Sequence, residues 1–424
     1  MMQLSHAVWL LALVPACFHP SYEHPACGPN QECPDGLVCG PDNVCGAQGS
    51  GGPGGGDGDG GVVGSDAPGD PSDARQCFGT GLVQVCLTAP PAGDKTLATT
   101  SLDTSSATAC TQIVSQAGGP DLCVIAARNL TVTGTVVATG TRALVLIAAD
   151  TLVVQSGGTV DVSSKINGGA RKGAAANTGT CSTLAHGGSD TGGGGGGAGG
   201  SLGTLGGKGG TGDTNNSAAP AGTAPGASAG TTQATPTILR GGCPGSAGGD
   251  DSINQNGSGV PGGDGGGAVY LIAGETITLL GDVFASGAGG GSNPNNNGAE
   301  QGGGGAGAGG MIGLDAPTIH AMGHVAANGG GGGGGGSLNL GGTAGGDGTT
   351  ISWNTRASGG PGDQNPVSGN GGDGAKGTAI GGTTSLDGSD STGGAGGGAG
   401  GLGLIWTYGA LMGGTMISPA PIAH

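Results

Sequence analysis

Large side chains are scarce in this sequence, and so is charge. Phe, Trp and Tyr together supply 2% of the residues and Asp, Glu, Lys and Arg only 9%. An ordinary globular core draws on far more aromatic and aliphatic volume. One evenly filled core is therefore excluded, and the apolar residues cluster instead in a few strand-length islands. Eleven Lys and Arg stand against 28 Asp and Glu, for a net charge of −17. That balance excludes a surface that tracks phosphates, and with it nucleic acid as a partner; the acidity serves solubility. No Gly-x4-Gly-Lys-Ser/Thr phosphate loop is present, since Lys208 is followed by Gly209. The apolar run at residues 7–16 is too short to cross a bilayer and has the length of an export-signal core.

Glycine is abundant, at 110 of 424 residues. Between its runs a short apolar phrase recurs five times. It starts near Cys123, Leu144, Val269, Met311 and Leu402, and Val, Ile, Leu and Thr are punctuated by Gly, Asp or Asn. This is strand chemistry. Aligned by eye, Ile125, Ile147, Ile272, Leu314 and Ile405 are equivalent. Leu130, Leu152, Ile277, Ile319 and Ala410 follow five residues on, and then Val136, Val160, Val283, Val325 and Met416. The first two copies are 22 residues apart, one turn of a β-solenoid, and long segments are inserted between later copies. The expected fold is all-β, with β-solenoid or parallel β-helix-like repeats, long glycine-rich insertions and a small disulfide-rich N-terminal module. Residues 143–149 are apolar on both parities, which requires cover on both sheet faces. The inserted segments are expected to supply the outer cover.

Pure glycine runs lie at 192–197, 302–305 and 329–336, with Gly-Gly-x-Gly spacing near 395–403. Such chains can form extended threefold helices that pack backbone against backbone. Ordering eight glycines costs on the order of 10 kcal/mol, and interchain bonds return about 1 kcal/mol each. Ordered packing and loose tethers are both open readings; the regular return to the strand phrase favours order. Residues 211–236, rich in Ala, Thr, Pro and Asn, read as disordered.

The eleven cysteines comprise Cys17, a first group of Cys27, Cys33, Cys39 and Cys45, a second of Cys77, Cys86, Cys110 and Cys123, and the pair Cys181 and Cys243. Even groups in separate segments point to local disulfides in an oxidising compartment. Zinc is the competing reading of the first group, whose spacing is wider than zinc knuckles use. A Cys110–Cys123 bond would tie the start of the fold to the first repeat. The segments read as signal peptide (1–16), tether (17–23), cysteine-rich module (24–46), Gly/Asp/Pro linker (47–74), disulfide-tied cap (75–121) and glycine-rich β-repeat domain (122–424). Asp57 and Asp59 in the linker match neither an EF-hand nor a calcium-binding β-roll.

Catalytic patterns are thin, and no cofactor is expected. Gly226-Ala227-Ser228-Ala229-Gly230 fits a nucleophile pattern but lacks the strand and helix that give it meaning. No metal site is expected: His320 and His324 are the best candidates, yet they have neither a nearby cysteine nor a carboxylate triad and read as a solvated surface pair. Asp250 and Asp251 read as a loop pair. Trp406 and Tyr408 lie in the last repeat and read as packing residues; Trp353 lies in an insertion, where it could meet a sugar ring.

Several stretches resemble known families. Leu13-Val14-Pro15-Ala16-Cys17 resembles a bacterial lipobox, which implies cleavage before Cys17, lipidation there and a membrane partner through the lipid anchor. The n-region departs from the pattern, holding His6 and no Lys or Arg. A plain secretory signal cut further on is the alternative. Phe18 in place of Asp implies the outer membrane. The Cys33-Pro34-Asp35-Gly36-Leu37-Val38-Cys39 centre looks like a cysteine-rich module of secreted proteins. The glycine runs are similar to those of phage adhesin tips and mycobacterial glycine-rich surface proteins. Residues 77–87, 122–126 and 139–148 resemble glycine-rich exported lipoproteins of myxobacterial type. The expectation is a non-catalytic structural or adhesive protein of the outer membrane or cell surface, meeting extracellular polysaccharide or cell-surface proteins. Alternatives are a carbohydrate-binding or carbohydrate-active solenoid and a trimeric phage-type adhesin.

Overall fold

The computed structural model describes residues 37–39 and 45–47. From residue 76 on it describes all but 92, 179–180, 182, 191, 213–225, 229, 233–236, 251–258, 294–299, 338–339, 349–354, 364–367, 378–381, 385, 388–392 and 415. Cys17, Cys27, Cys33, Asp57, Asp59, Asp251 and Trp353 lie outside the described residues. The chain forms two units, residues 1–67 and 68–424, so the division falls inside the segment read as linker. The first unit contributes an antiparallel pair, β1 (Leu37–Cys39) and β2 (Cys45–Ala47), with Cys39 opposite Cys45.

The described residues of the second unit are all-β apart from one 3-10 turn, Ala107–Ala109. It opens with a hairpin, β3 (Gln76–Phe78) and β4 (Val85–Leu87), closed by the Cys77–Cys86 disulfide. Next come three edge strands, β5 (Lys95–Leu97), β6 (Thr100–Asp103) and β7 (Gln112–Val114). Five rungs follow. The first is β8 (Leu122–Ala127), β9 (Leu130–Val132) and β10 (Thr135–Thr139). The second is β11 (Ala143–Ala148), β12 (Thr151–Val154) and β13 (Thr159–Asp161). The third is β14 (Ala268–Ala273), β15 (Thr276–Leu279) and β16 (Asp282–Phe284). In the fourth and fifth the first two strands fuse, giving β17 (Met311–Ala321) with β18 (Val325–Ala326), and β19 (Leu404–Gly413) with β20 (Ile417–Ser418). A last strand, β21 (Ile422–Ala423), pairs with β19.

Every rung pairs in parallel with the next along three ladders. β5 and β6 extend two ladders in parallel, whereas β7 closes the third antiparallel to β8. The Cys110–Cys123 disulfide fastens this end to the first rung. At one corner the rungs stack glycine on glycine. A Cβ on Gly281 would lie 2.1 Å from the Gly158 carbonyl oxygen, and one on Gly323 would lie 1.8 Å from that of Gly281. No other residue lets the chain turn there with rungs at hydrogen-bonding distance.

The five apolar phrases are neighbours in one sheet, but their register differs from alignment by eye. Ile125 stands beside Leu146, Leu271, Leu314 and Thr407 in one column, and Ile147 belongs to the next, with Ala126, Ile272, Asp315 and Tyr408. A shift of one residue exchanges the two faces of a strand. Ile125 and Leu146 point into the core enclosed by the ladders, while Ile147 and Ile272 point outward into a second core. Because β11 and β14 are apolar on both faces, composition alone could not fix which column was which. In the second strand, Leu130, Leu152, Ile277 and Ile319 align as read, but their fifth partner is Leu411 rather than Ala410. In the third, Ile417 takes the place read for Met416.

The outer core is covered from two sources, the inserted segments that were expected there and the N-terminal hairpin that was not. Phe78, Val83, Val85 and Leu87 of the N-terminal hairpin pack on Val124, Val145, Ile147 and Ile272, and among the described residues the glycine segments add Ala175, Leu202, Leu239 and Ala308. The hairpin is the part of the chain with enough apolar volume for that face.

The glycine segments form a third layer of structure. Residues 302, 305 and 308 donate backbone bonds to residues 249, 246 and 243. Residues 303, 306 and 309 donate to 395, 398 and 401, and residues 304, 307 and 310 donate to 291, 288 and 285. Residues 300–308 accept bonds from residues 194, 197 and 200, from 263 and 266, and from 330, 333 and 336. Each third residue thus meets the same neighbour, and one segment is bonded to six others. At the glycine positions side chains do not fit: a Cβ on Gly307 would lie 1.9 Å from the Asp264 carbonyl oxygen. Parts of the stretch read as disordered belong here too. Ala227 bonds to Gly196 and Gly209, and the Thr211 amide meets Asp387 Oδ1 at 2.7 Å.

Candidate functional site: the strap on the outer sheet face

The loop between β3 and β4 lies across rungs three to five and is fixed there by three polar side chains, one from each rung. Asp315, on β17, is 3% exposed in an otherwise apolar column. Its carboxylate accepts the Thr80 amide at 2.8 Å, the Thr80 hydroxyl at 2.8 Å and the Gly81 amide at 2.9 Å. The Tyr270 hydroxyl, on β14, donates to it at 3.2 Å. The Tyr408 hydroxyl lies by the backbone of Leu82 and the Tyr270 hydroxyl by that of Val83. The Thr80 and Gly81 amides and the Thr80 hydroxyl are therefore satisfied by the spine. Burying these polar groups is tolerable because each has a partner.

Glycines make the geometry possible. A Cβ on Gly313 would meet the Tyr270 ring at 2.1 Å, and one on Gly81 would meet the Tyr408 ring at 2.3 Å. The rings lie flat over these two positions. Opposite Gly409, β17 carries the extra residues Ala316 and Pro317, a bulge that shifts the register after Asp315. Burial raises the pKa of both tyrosines. The Asp315 charge adds to the effect at each, and the backbone beside each hydroxyl opposes it.

A cleft of about 310 Å³ remains beside the strap, lined by Phe78, Thr80, Ile272, Asp315, Pro317 and Tyr408 among others. Its only carboxylate already receives four hydrogen bonds, about the full capacity of a carboxylate. The site is thus built to hold the strap in place, and Asp315 is a positioning residue. Around Tyr408, Trp406 lies 6.2 Å away and His424 5.2 Å away, and His424 also stacks on Trp406 at 4.8 Å. Trp406 and Tyr408 are packing residues of the last rung, as their place in the repeat suggested.

The other residues read from the sequence lie apart from this site. His320 stands opposite Thr278 and Met412 in register, and His324 bonds through Nδ1 to Asp282 at 2.8 Å. Among the described residues no group of three or more His, Cys, Asp or Glu gathers as a metal site. Ser228 and His186 line one shallow groove, but Gly226 and Ala227 run within the glycine array rather than from a strand into a helix. Disulfides join Cys77 to Cys86, Cys110 to Cys123, and Cys181 to Cys243. Sequence reasoning missed Asp315, Tyr270 and Thr80. The available signal was a lone acid inside a repeat whose other copies hold Ala126, Ile147, Ile272 and Tyr408 at that position.

No protein-family model matches the chain, and no curated protein or solved structure matches it. Among the described residues no helix is long and apolar enough to cross a membrane.

Proposed function

We propose that this chain is a surface-anchored structural or adhesive lipoprotein without catalytic activity. Its core is a β-solenoid, and its insertions form a polyglycine-II lattice. The observation that carries this reading is the run 302–310, whose backbone bonds in threes to six neighbouring segments. Such an array leaves no room for side chains at its glycine positions, so it suits displaying its far end better than enclosing a substrate. The end remote from the rungs carries a polar row. Asn293 donates to Gln301 at 2.9 Å, Gln301 donates to Asp250 at 2.7 Å, and the Asp250 amide donates to Ser189 at 2.9 Å. Hydroxyl-rich polymers and polar protein surfaces are suitable partners for such a row.

The strap adds a reason for anchoring. A pull from the N-terminal side enters the second unit at β3, and the disulfide and the Asp315 bonds pass it to the third and fourth rungs. Lipid at Cys17 would be the source of such a pull. Cells expressing the full chain, compared with a Cys17→Ala variant, test both parts. The variant should leave the membrane fraction, and cells carrying it should lose adherence to a polysaccharide-coated or protein-coated surface. Release of soluble sugars from a polysaccharide panel by the purified chain would overturn the non-catalytic reading and favour a carbohydrate-active solenoid.

A further inference from the structure

Arg240 is the largest fully buried side chain of the described residues, with no exposed surface. Its guanidinium sits on a disulfide: Nη2 lies 2.9 Å from Cys181 Sγ and 2.9 Å from Cys243 Sγ, while Nε donates to the Gly241 carbonyl at 3.1 Å. Burial depresses the guanidinium pKa, the sign of a cation held out of water at a cost. A disulfide sulfur is a weak, neutral acceptor. A thiolate at the same distance is a full anion, and in a poorly solvated site its attraction to the cation is much stronger. The arrangement therefore stabilises the product of reduction more than the bond itself.

We propose that Cys181–Cys243 is a thiol-exchange site, opened by a dithiol reductant and leaving one cysteine as a thiolate held by Arg240. A thiolate of the dithiol attacks one protein sulfur and displaces the other as thiolate, forming a mixed disulfide. The second thiol of the reagent, deprotonated, then attacks the mixed disulfide. The reagent leaves as a cyclic disulfide, having lost two electrons, and the protein sulfurs have gained them. Of the reagent's two thiol protons, one ends on a protein thiol and one passes to solvent. Both cysteines are half-buried, within reach of a reagent. The surrounding array does not depend on the bond. Gly242 donates to Gly266 at 2.8 Å, and Ala308 donates to the Cys243 carbonyl at 3.0 Å, through backbone alone. Opening the bond frees the link between residue 181 and the array without dismantling it.

The test equilibrates the full chain across a series of reduced-to-oxidised dithiothreitol ratios, then alkylates and counts each cysteine pair by peptide mass spectrometry. Cys181–Cys243 should reach half-reduction at a ratio about tenfold or more below that of Cys77–Cys86 or Cys110–Cys123. Arg240→Met should move it to within about threefold of them, and Arg240→Lys should recover part of the difference. Opening together with or after the other two bonds, or an unchanged ratio in Arg240→Met, would overturn the proposal. Should Arg240→Met fail to fold, the pH dependence of alkylation of the reduced native chain decides. One thiol of the pair should react with a midpoint at least about one unit below the ordinary value near 8.5, and two ordinary midpoints would refute it.

Discussion

Asp315 and Thr80 are separated by 235 residues and joined by two hydrogen bonds of 2.8 Å, one to the amide and one to the hydroxyl. This junction fixes the N-terminal strap to the fourth rung. Removing the carboxylate leaves two backbone donors, one hydroxyl and the Tyr270 phenol without their acceptor. Asp315→Ala should lower stability by roughly 3 kcal/mol. Urea unfolding measures the loss, and new proteolytic cuts between residues 76 and 90 would place it at the strap. Wild-type stability with an intact strap would refute the clamp.

Alkaline pH should release the same region. In the unfolded chain tyrosine ionises near pH 10, whereas burial raises the folded values of Tyr270 and Tyr408. Below about pH 10 the folded and unfolded chains keep these protons alike, and the contribution is complete. As pH rises from there toward the folded values, the unfolded chain gives up protons that the folded chain retains, and stability falls. Tyr270 alone should contribute a loss of about 1 kcal/mol per pH unit. Tyr270→Phe should flatten the decline; an equally steep decline in that variant would show that the phenol is not its source.

Gly332 and Gly93 offer a direct comparison of crowded and open positions. A Cβ at Gly332 would lie 1.8 Å from the Gly397 carbonyl oxygen, and one at Gly93 meets nothing within 4 Å. Gly332→Ala should destabilise by about 2–3 kcal/mol. Gly93→Ala should range from neutral to about 1 kcal/mol stabilising, through loss of unfolded-chain entropy. Thermal unfolding of the two variants decides, and equal behaviour would mean that the array does not pack as described.

Hydrogen exchange reads the array residue by residue. The amides of Gly303, Ala306 and Gly309 donate to a neighbouring segment at 2.8–3.0 Å. They should be protected to a degree comparable with Leu146 in the central ladder. Exchange of these amides at the rate of free peptide would identify the glycine runs as tethers.

Replacing Cys110 and Cys123 together by Ser removes a crosslink between residues 13 apart and should cost about 3 kcal/mol. The loss should localise to β7 and the first rung, seen as faster exchange at Val124 and Ile125. A loss spread evenly over all five rungs would show that the bond does not act as a local fastening.

The strand phrases, the all-β class and the even grouping of the cysteines follow from residue type and spacing, because β-branched residues, glycine punctuation and cysteine parity are local properties. Leu130, Leu152, Ile277 and Ile319 could be aligned by eye because polar neighbours mark their face. Ile125 and Ile147 could not, because β11 is buried on both sides and its pattern carries no parity. Only tertiary structure decided that the hairpin at residues 76–87 shares the outer face with the glycine-rich segments, and that Asp315 meets Thr80. The bonding of residues 302–310 to six distant segments was equally beyond the sequence. Glycine has no side chain with which to mark a neighbour, so the partners of a glycine run are set by which backbones the folded rungs bring alongside it.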